Sequence, residues 1–373
     1  MNVQIARGLE GVVVDQTAIS NVEGDCGRLS YRGYLIEDLV TRRYEDVVWL
    51  VIFGELPDDD QRQELESFLR ANRELAGHET TILQAIPAGT HPMLMLQAMV
   101  PVLNLQAASS LPAPAGLDGD GLEGLVLVAK LPTLIATYRA MQEGRLPEKD
   151  ETGTYNQYFL RHFLGREPGP EEIRIMDTAQ ILQMEHSFNA GTFAGRVTAS
   201  TLAPLRSAVS SSIGTLYGPL HGGADEAALR TALEVGSPEN ADDFVMRKLA
   251  AKEKVMGMGH REYRTVDPRA KVLKPMAKDL CTGTEYARIY ETLEAIEAAF
   301  RREMEKKGKQ IWANVDFYKG AVYHALGIPE VWFTAMFALS RTVGYVAHFL
   351  ESRADNKLIR PKAFYAGQDI RPL

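Results

Sequence analysis

In the stretch Gly218-Pro-Leu-His-Gly-Gly-Ala-Asp-Glu-Ala-Ala-Leu-Arg230, one histidine stands among three glycines and a proline. Pro219 with Gly218, Gly222 and Gly223 forbids a regular element, so the backbone must turn sharply. Ala224 to Leu233 then reads as a helix, with Asp225 and Glu226 in its first turn, where the dipole favours acids. His221 is thereby presented just ahead of a helix N-terminus. That positive end disfavours imidazolium, so the ring should stay neutral and offer an N–H to developing negative charge.

A second histidine lies in Lys254-Val-Met-Gly-Met-Gly-His-Arg-Glu-Tyr-Arg-Thr-Val-Asp-Pro-Arg269. Gly257 and Gly259 break a helix just before His260, and Asp267-Pro268 starts the next one. From Arg247 to Lys278 there are ten Lys/Arg against three Asp/Glu, in a chain whose net charge is -8. Such a focus suits a small polyanion, a nucleotide phosphate or a carboxylated molecule, better than a duplex. The glycines are no dinucleotide fingerprint, because no strand precedes them and the third glycine is missing.

A third signal is Asn314-Val-Asp-Phe-Tyr318, where Asp316 lies among Trp312, Val315, Phe317 and Tyr318. An acid in apolar surroundings suits a general base. A pair of arginines completes the set: Arg341 in an apolar run, and Arg360 in Asn356-Lys-Leu-Ile-Arg-Pro-Lys362. A guanidinium in such a run must be paired, either with a substrate carboxylate or with an internal Glu. The sequence holds no His-Glu-x-x-His, no Cys-x-x-Cys, no Walker loop and no Gly-x-Ser-x-Gly elbow. Two presented histidines, one aspartate and several arginines, without metal or nucleophile, point to proton abstraction next to a carbonyl on anionic substrates.

The elements that must position these groups are helical. Residues 8 to 33 form a small strand or hairpin region, and it holds the β character of note. Ile36 to Phe53 reads as one helix, stopped by Gly54 and Pro57, and Asp58 to Asp60 cap the next. Pro87 to Gln106 is an apolar helical stretch interrupted by Pro92 and Pro101. Leu111 to Gly124, rich in Pro, Gly and Asp, reads as a surface loop, and Leu125 to Met141 as a helix. Ile175, Ala179, Leu182 and His186 recur at helical spacing and place His186 on an apolar face, where a lone histidine reads as a core residue. Leu202, Leu205, Val209, Ile213 and Leu216 repeat that spacing, with small residues that let helices approach closely. Ile289, Leu293, Ile296, Phe300 and Met304 form one stripe on a charged helix. With no alternating βαβ rhythm and no repeat, the fold class is all-α.

Composition bounds the rest. At 373 residues the chain suggests two domains, or one with a sizeable subdomain. The acidic balance excludes a nucleic-acid partner. Two distant cysteines, Cys26 and Cys281, read as reduced thiols. No presequence is evident, so the expected place is the cytoplasm. Val331 to Leu350 is long and apolar enough to span a bilayer, but Arg341 in its middle makes it a buried helix and no membrane anchor.

Taken together, these stretches resemble the citrate synthase family. Glu185-His-Ser-Phe-Asn-Ala-Gly-Thr-Phe193, Gly218-Pro-Leu-His-Gly-Gly-Ala224, Gly257-Met-Gly-His-Arg261 with Asp267-Pro-Arg269, Asn314-Val-Asp-Phe-Tyr318, Ser340-Arg-Thr-Val-Gly344 and Ile359-Arg-Pro-Lys362 occur in the family's order. The opening Gly8-Leu-Glu-Gly-Val-Val-Val-Asp15 and Tyr31-Arg-Gly-Tyr34 extend the likeness to nearly the whole chain, in the short bacterial and archaeal dimeric form. Two departures stand out. Gly191 takes the place of a usual serine, and Arg261-Glu-Tyr-Arg-Thr-Val replaces the commoner Arg-Val-Tyr-Lys, neither at a catalytic position.

The resemblance implies condensation of acetyl-CoA with oxaloacetate and water to citrate and CoA. Asp316 would take the methyl proton, His221 would hold the thioester enol, and His260 would polarise the keto carbonyl. His186, Arg269, Arg341 and Arg360 would hold oxaloacetate, with Arg360 supplied by the other subunit of a homodimer. Lys254, Arg261, Arg264 and Lys271 are candidates for the coenzyme A phosphates, on the basic cluster. No metal and no permanently bound cofactor are implied. A large domain of residues 1–220 and 316–373 and a small domain of 221–315 would close over the substrates. A 2-methylcitrate synthase using propionyl-CoA, and a non-catalytic helical dimer binding CoA or a dicarboxylate, are the rival readings.

Overall fold

The computed structural model describes residues 5–108, 112–145 and 152–372. The N-terminal Met1-Asn-Val-Gln4 and Leu111 of the expected surface loop lie outside them. The β character is a three-stranded antiparallel sheet of β1 (Ser20–Glu23), β2 (Arg28–Tyr31) and β3 (Tyr34–Leu35), with Ser20 opposite Tyr31 and Ser30 opposite Leu35. Everything else regular is helical, so the class is all-α. The helices follow as α1 (Ile36–Leu39), α2 (Tyr44–Phe53), α3 (Asp59–Asn72), α4 (Gly77–Ala85), α5 (Pro92–Met99) and α6 (Gly119–Gln142). Next come α7 (Tyr155–Leu164), α8 (Pro170–Gln183), α9 (Ala190–Ser200), α10 (Leu205–Leu216), α11 (Ala224–Val235) and α12 (Ala241–Ala250). The last four are α13 (Pro268–Cys281), α14 (Ala287–Lys306), α15 (Val315–Ala325) and α16 (Phe333–Ala354).

Several boundaries differ from the sequence reading, each for a local reason. The single helix expected over Ile36–Phe53 is two. Thr41 turns its hydroxyl onto the Asp38 carbonyl at 2.7 Å, and Arg43 is extended, so the chain restarts at Tyr44. The loop expected up to Gly124 ends earlier, because α6 begins at Gly119. Gly124 serves packing: a Cβ there would lie 2.4 Å from Val346 Cγ1 of α16. Leu202 is exposed and precedes α10 instead of continuing its stripe.

The buried centre is α16, inaccessible from Phe333 to Phe349 and packed against α9, α6, α10, α8 and α2. The small residues of α9 and α10 bring those helices together, since a Cβ on Gly195 would meet Ser212 Oγ at 2.3 Å. Among the described residues one helix, α6, is long and apolar enough to cross a bilayer, and 83% of its most apolar window is buried inside the protein. That is the burial of a core helix. On the other side, α15 packs against α13 and α11. The β1–β2 turn docks on the loop before α13: Arg264 N–H donates to the Gly24 carbonyl at 3.0 Å, and a Cβ on Gly24 would lie 2.1 Å from the Glu262 carbonyl oxygen.

Candidate active site

His221 occupies the turn its glycines required. Gly222 N–H donates to the Leu216 carbonyl at 2.9 Å, and a side chain there would strike that oxygen. The ring faces a second helix end besides that of α11. Its Nε2 lies 3.2 Å from the Gly191 N–H, in the first turn of α9. A backbone N–H can only donate, so we assign Nε2 as the acceptor and leave the proton on Nδ1. Asn189 Oδ1, 3.1 Å from Nε2, already accepts from Thr192 N–H as the cap of α9. Burial first, and Arg341 second, pull the His221 pKa down to about 4. The ring is a neutral N–H donor, the state expected from its position. The backbone N–H of Gly191 thus sets the orientation and tautomer of His221, a contact that does not depend on the side chain at that position.

His260 is neutral for related reasons. Its Nδ1 accepts from the Glu262 and Tyr263 N–H groups at 3.0 and 3.2 Å, so the proton belongs on Nε2. Burial, then Arg269, take its pKa to about 4 against the pull of Asp267 and Asp316. Nε2–H faces Arg269 Nη2 at 3.3 Å. Two donors that meet with no acceptor between them are reconciled by an anionic oxygen placed against both.

His186 does not ride on a helix face. Helix α8 ends at Gln183, and His186 lies in the turn beyond it, buried, with Nε2 3.1 Å from Tyr263 Oη and its ring 5.3 Å from that of His260. Burial and then Arg269 hold its pKa well below the usual histidine value. Arg269 is buried and clasped by Asp267 at 3.0 and 2.9 Å; burial opposes its charge, but Asp267 outweighs it and the pKa rises. Arg341 is 1% exposed, donates Nε–H to the Gln183 carbonyl at 2.5 Å and lies 4.8 Å from the Phe337 ring centre. Among the described residues no carboxylate reaches ion-pair distance of it. Glu185 Oε1 is held by His348 at 2.8 Å and Ser20 at 3.0 Å, while its Oε2 is buried without a hydrogen-bond partner. Of the two partners the sequence allowed for Arg341, the internal Glu is near enough to act on its charge, as Glu185 does, but forms no ion pair with it.

Asp316 is brought to His260 by backbone pairing. Met258 bridges Ala313, Gly259 N–H donates to the Trp312 carbonyl at 2.8 Å, and Asn314 N–H to the Gly257 carbonyl at 2.9 Å. Gly257 and Gly259 have φ of +79° and +85°, the left-handed region that favours glycine. Asn314 caps α15 through the Asp316 N–H at 2.9 Å, and Asp267 Oδ2 takes the Val315 N–H at 3.1 Å. The expected apolar setting needs correction. Asp316 Oδ1 is ion-paired with Lys319 at 2.7 Å, on a lysine that is wholly buried.

Three groups at the site were missed by the sequence reading. Lys319 carried a signal, since an acid and a lysine three apart on one helix form a pair. Tyr263 and Tyr345 carried none. Tyr345 Oη is buried without a hydrogen-bond partner, one helical turn beyond Arg341, and a Cβ on Gly191 would lie 2.4 Å from it and 3.2 Å from His221 Nε2. The remaining expected residues lie apart from this cluster. Lys254, Arg261, Arg264 and Lys271 are exposed, and exposed Arg360 donates to the Pro361 carbonyl at 2.7 Å in the C-terminal segment beyond α16.

Two neutral histidines held in loops, two buried arginines and an aspartate gathered in one cluster define a site for carbon acid chemistry on an anion, held in an all-α fold. Residues 8–362 match the family described as citrate synthase, C-terminal domain. The citrate synthase of Acidithiobacillus ferridurans is 38% identical, over 98% of this chain and 96% of that one. The 2-methylcitrate synthase of Shewanella oneidensis is 36% identical, over 98% and 95%. Among solved structures, the citrate synthase of Thermoplasma acidophilum, in a ternary complex with carboxymethyl coenzyme A and oxaloacetate, superposes with a TM-score of 0.90 at 30% identity, covering 99% of this chain and 98% of that one. The chain belongs to the citrate synthase family and is a condensing enzyme of the acyltransferase type.

Proposed function

We propose that this enzyme condenses acetyl-CoA with oxaloacetate in the cytoplasm, with Asp316, His221 and His260 as its catalytic residues. The observation that carries the reading is the pair of neutral imidazoles: both are acceptors on one nitrogen and free N–H donors on the other. Asp316 removes a proton from the acetyl methyl group, and the electron pair moves to the thioester oxygen, which His221 Nδ1–H receives. A carboxylate is too weak to deprotonate that carbon unaided, so stabilising the enol oxygen supplies most of the effect. The enol carbon attacks the keto carbon of oxaloacetate, whose oxygen His260 Nε2–H polarises. Water then cleaves citryl-CoA to citrate and CoA.

Arg269, Arg341 and His186 hold the oxaloacetate carboxylates, and the unpaired charge of Arg341 supports that role. The exposed basic residues Lys254, Arg261, Arg264 and Lys271 receive the CoA phosphates. Residues 221–315 form the small domain that closes on the large one (1–220 and 316–373), because the histidines and arginines belong to both parts. The 36% identical 2-methylcitrate synthase favours one second reading, propionyl-CoA as acyl donor. An extra methyl group is typically worth only about 1–3 kcal/mol in such a pocket. CoA release with oxaloacetate and each acyl-CoA in turn decides: a higher kcat/KM for propionyl-CoA overturns the acetyl assignment, and release with neither overturns the reaction.

Arg360 completes the oxaloacetate site of the partner in a homodimer, which suits an exposed arginine on a segment without regular structure. Asp316→Asn and Arg360→Ala homodimers are each expected to be nearly inactive. Mixed dimers hold one site with both lesions and one with neither, so activity returns. Verified mixed dimers that stay inactive place Arg360 in its own chain's site.

A further inference from the structure

Lys319 is wholly buried, and its ammonium has four neighbours. Asp316 Oδ1 accepts from it at 2.7 Å, Gln183 Oε1 lies at 3.4 Å, Asp225 Oδ2 at 3.1 Å, and the Phe337 ring centre at 4.3 Å. The two carboxylates are not equivalent. Asp225 is itself wholly buried in the first turn of α11, where Oδ1 takes the Glu226 N–H at 2.8 Å. Its Oδ2 is in ion-pair contact with Lys319 at 3.1 Å. Asp316 is hydrogen-bonded, lies at the cleft with its side chain 14% exposed, and its Oδ2 takes no hydrogen bond within the described residues.

We propose that Lys319 and Asp225 are positioning residues that set the charge and aim of Asp316, Lys319 holding it as an outward-facing carboxylate and Asp225 limiting how strongly Lys319 does so. The inference rests on Asp316 being the base. The physical argument is one of balance. Enclosure away from water disfavours a carboxylate with no cation beside it, and a protonated acid accepts no proton from carbon. A lysine bound to Asp316 alone keeps it ionised but makes it a poorer base. A second carboxylate on the same ammonium divides that charge. It also gives Lys319 a counter-ion once Asp316 has accepted the substrate proton, so no buried charge is left unpaired at that moment. Burial works against the charge of Lys319, but Asp225 and then Asp316 outweigh it, and its pKa is raised.

The other charged groups around the pair have their own partners or a different task. From α13, Arg269 is bound to Asp267, and from the flanking turns His260 and His221 are neutral. On α14, Glu297 is taken by Tyr318 and Lys274, and on α16 Arg341 faces His221 and Glu185. Tyr323, one turn along α15, accepts from Gln183 at 2.9 Å and stays a phenol. Asp225 is thus the one carboxylate besides Asp316 that contacts Lys319 among the described residues.

The test is the pH profile of kcat for citrate formation by folded wild-type and variant dimers. Lys319→Met leaves Asp316 beside Asp225 without a cation, so the acid limb moves to higher pH by at least about one unit. Asp225→Asn gives Asp316 the whole charge of Lys319, so the limb moves to lower pH and the plateau falls several-fold. Opposite displacements are the expected result; a merely structural role lowers activity without moving the limb. If Lys319→Met does not fold, Lys319→Met/Asp225→Asn removes both charges and must still carry its limb above that of the wild type. Limbs that coincide with the wild type in the folded variants overturn the inference, whatever the loss of rate. A wild-type protein that releases no CoA from acetyl-CoA and oxaloacetate overturns the functional reading, and this inference with it, before any variant is made.

Discussion

Two buried lysines of this chain show what separates a structural ion pair from one at an active site. Lys130 on α6 binds both oxygens of Glu79 at 2.9 and 2.8 Å, and Glu79 also accepts the Ala76 and Asn104 N–H groups, each at 2.6 Å. Every Glu79 oxygen is used twice, and the pair closes on itself. Lys319 is as deeply buried, but it is shared between two carboxylates, and one of them, Asp316, binds it through Oδ1 and keeps Oδ2 free of hydrogen bonds within the described residues. Burying charge costs free energy in both places. At Lys130 the complete hydrogen bonding offsets that cost. At Lys319 part of it remains, in groups that a substrate can engage.

Removing one acid from each pair separates the two cases most sharply. Asp316→Asn is expected to lower kcat by roughly a thousandfold while leaving the circular dichroism and oxaloacetate binding unchanged, because Lys319 retains Asp225. Near-normal turnover in that variant removes Asp316 from the role of base. Glu79→Gln strands the Lys130 ammonium and is expected to cost about 3 kcal/mol in urea unfolding, with kcat per folded molecule unaltered. A stability equal to the wild type would mean that the closed pair contributes no more than the open one.

Proton linkage sharpens the contrast. His221 and His260 are near 4 when folded and near the ordinary value of about 6.5 when unfolded. Between these values the unfolded chain binds protons that the native one refuses, so stability rises with pH and is lost as pH falls from 6.5 towards 4. The expected slope is about 1.4 kcal/mol per pH unit for each ring in mid-window. Urea midpoints across that range check it, and His221→Gln or His260→Gln should each flatten the slope. The smallest effect concerns Tyr345, whose hydroxyl is buried without a partner. Tyr345→Phe is expected to stabilise the unliganded protein by up to about 1 kcal/mol. A loss of stability would show that the hydroxyl is bonded in solution.

Although the helix expected to break at Gly257 and Gly259 ends already at Ala250, the sequence by itself determined the turn at His221, the cap at Asp267 and the helical class. Each of these depends on glycine, proline or a capping side chain acting within a few residues. The same locality explains the misreadings. Gly121 and Gly124 look like a loop because glycine permits one, while their use was to let α6 approach Leu117 and Val346. His186 kept helical spacing past the end of α8, since spacing carries no record of where a helix stops. Only the tertiary structure decided the electrostatics. It put Gly191 under His221, set Arg269 against His260, left Arg341 without an ion pair among the described residues, and placed Asp225 and Asp316 on the same ammonium although they are ninety-one positions apart (316 less 225). Charges interact through space and through the dielectric that packing creates, so their balance has no expression in a local run of residues.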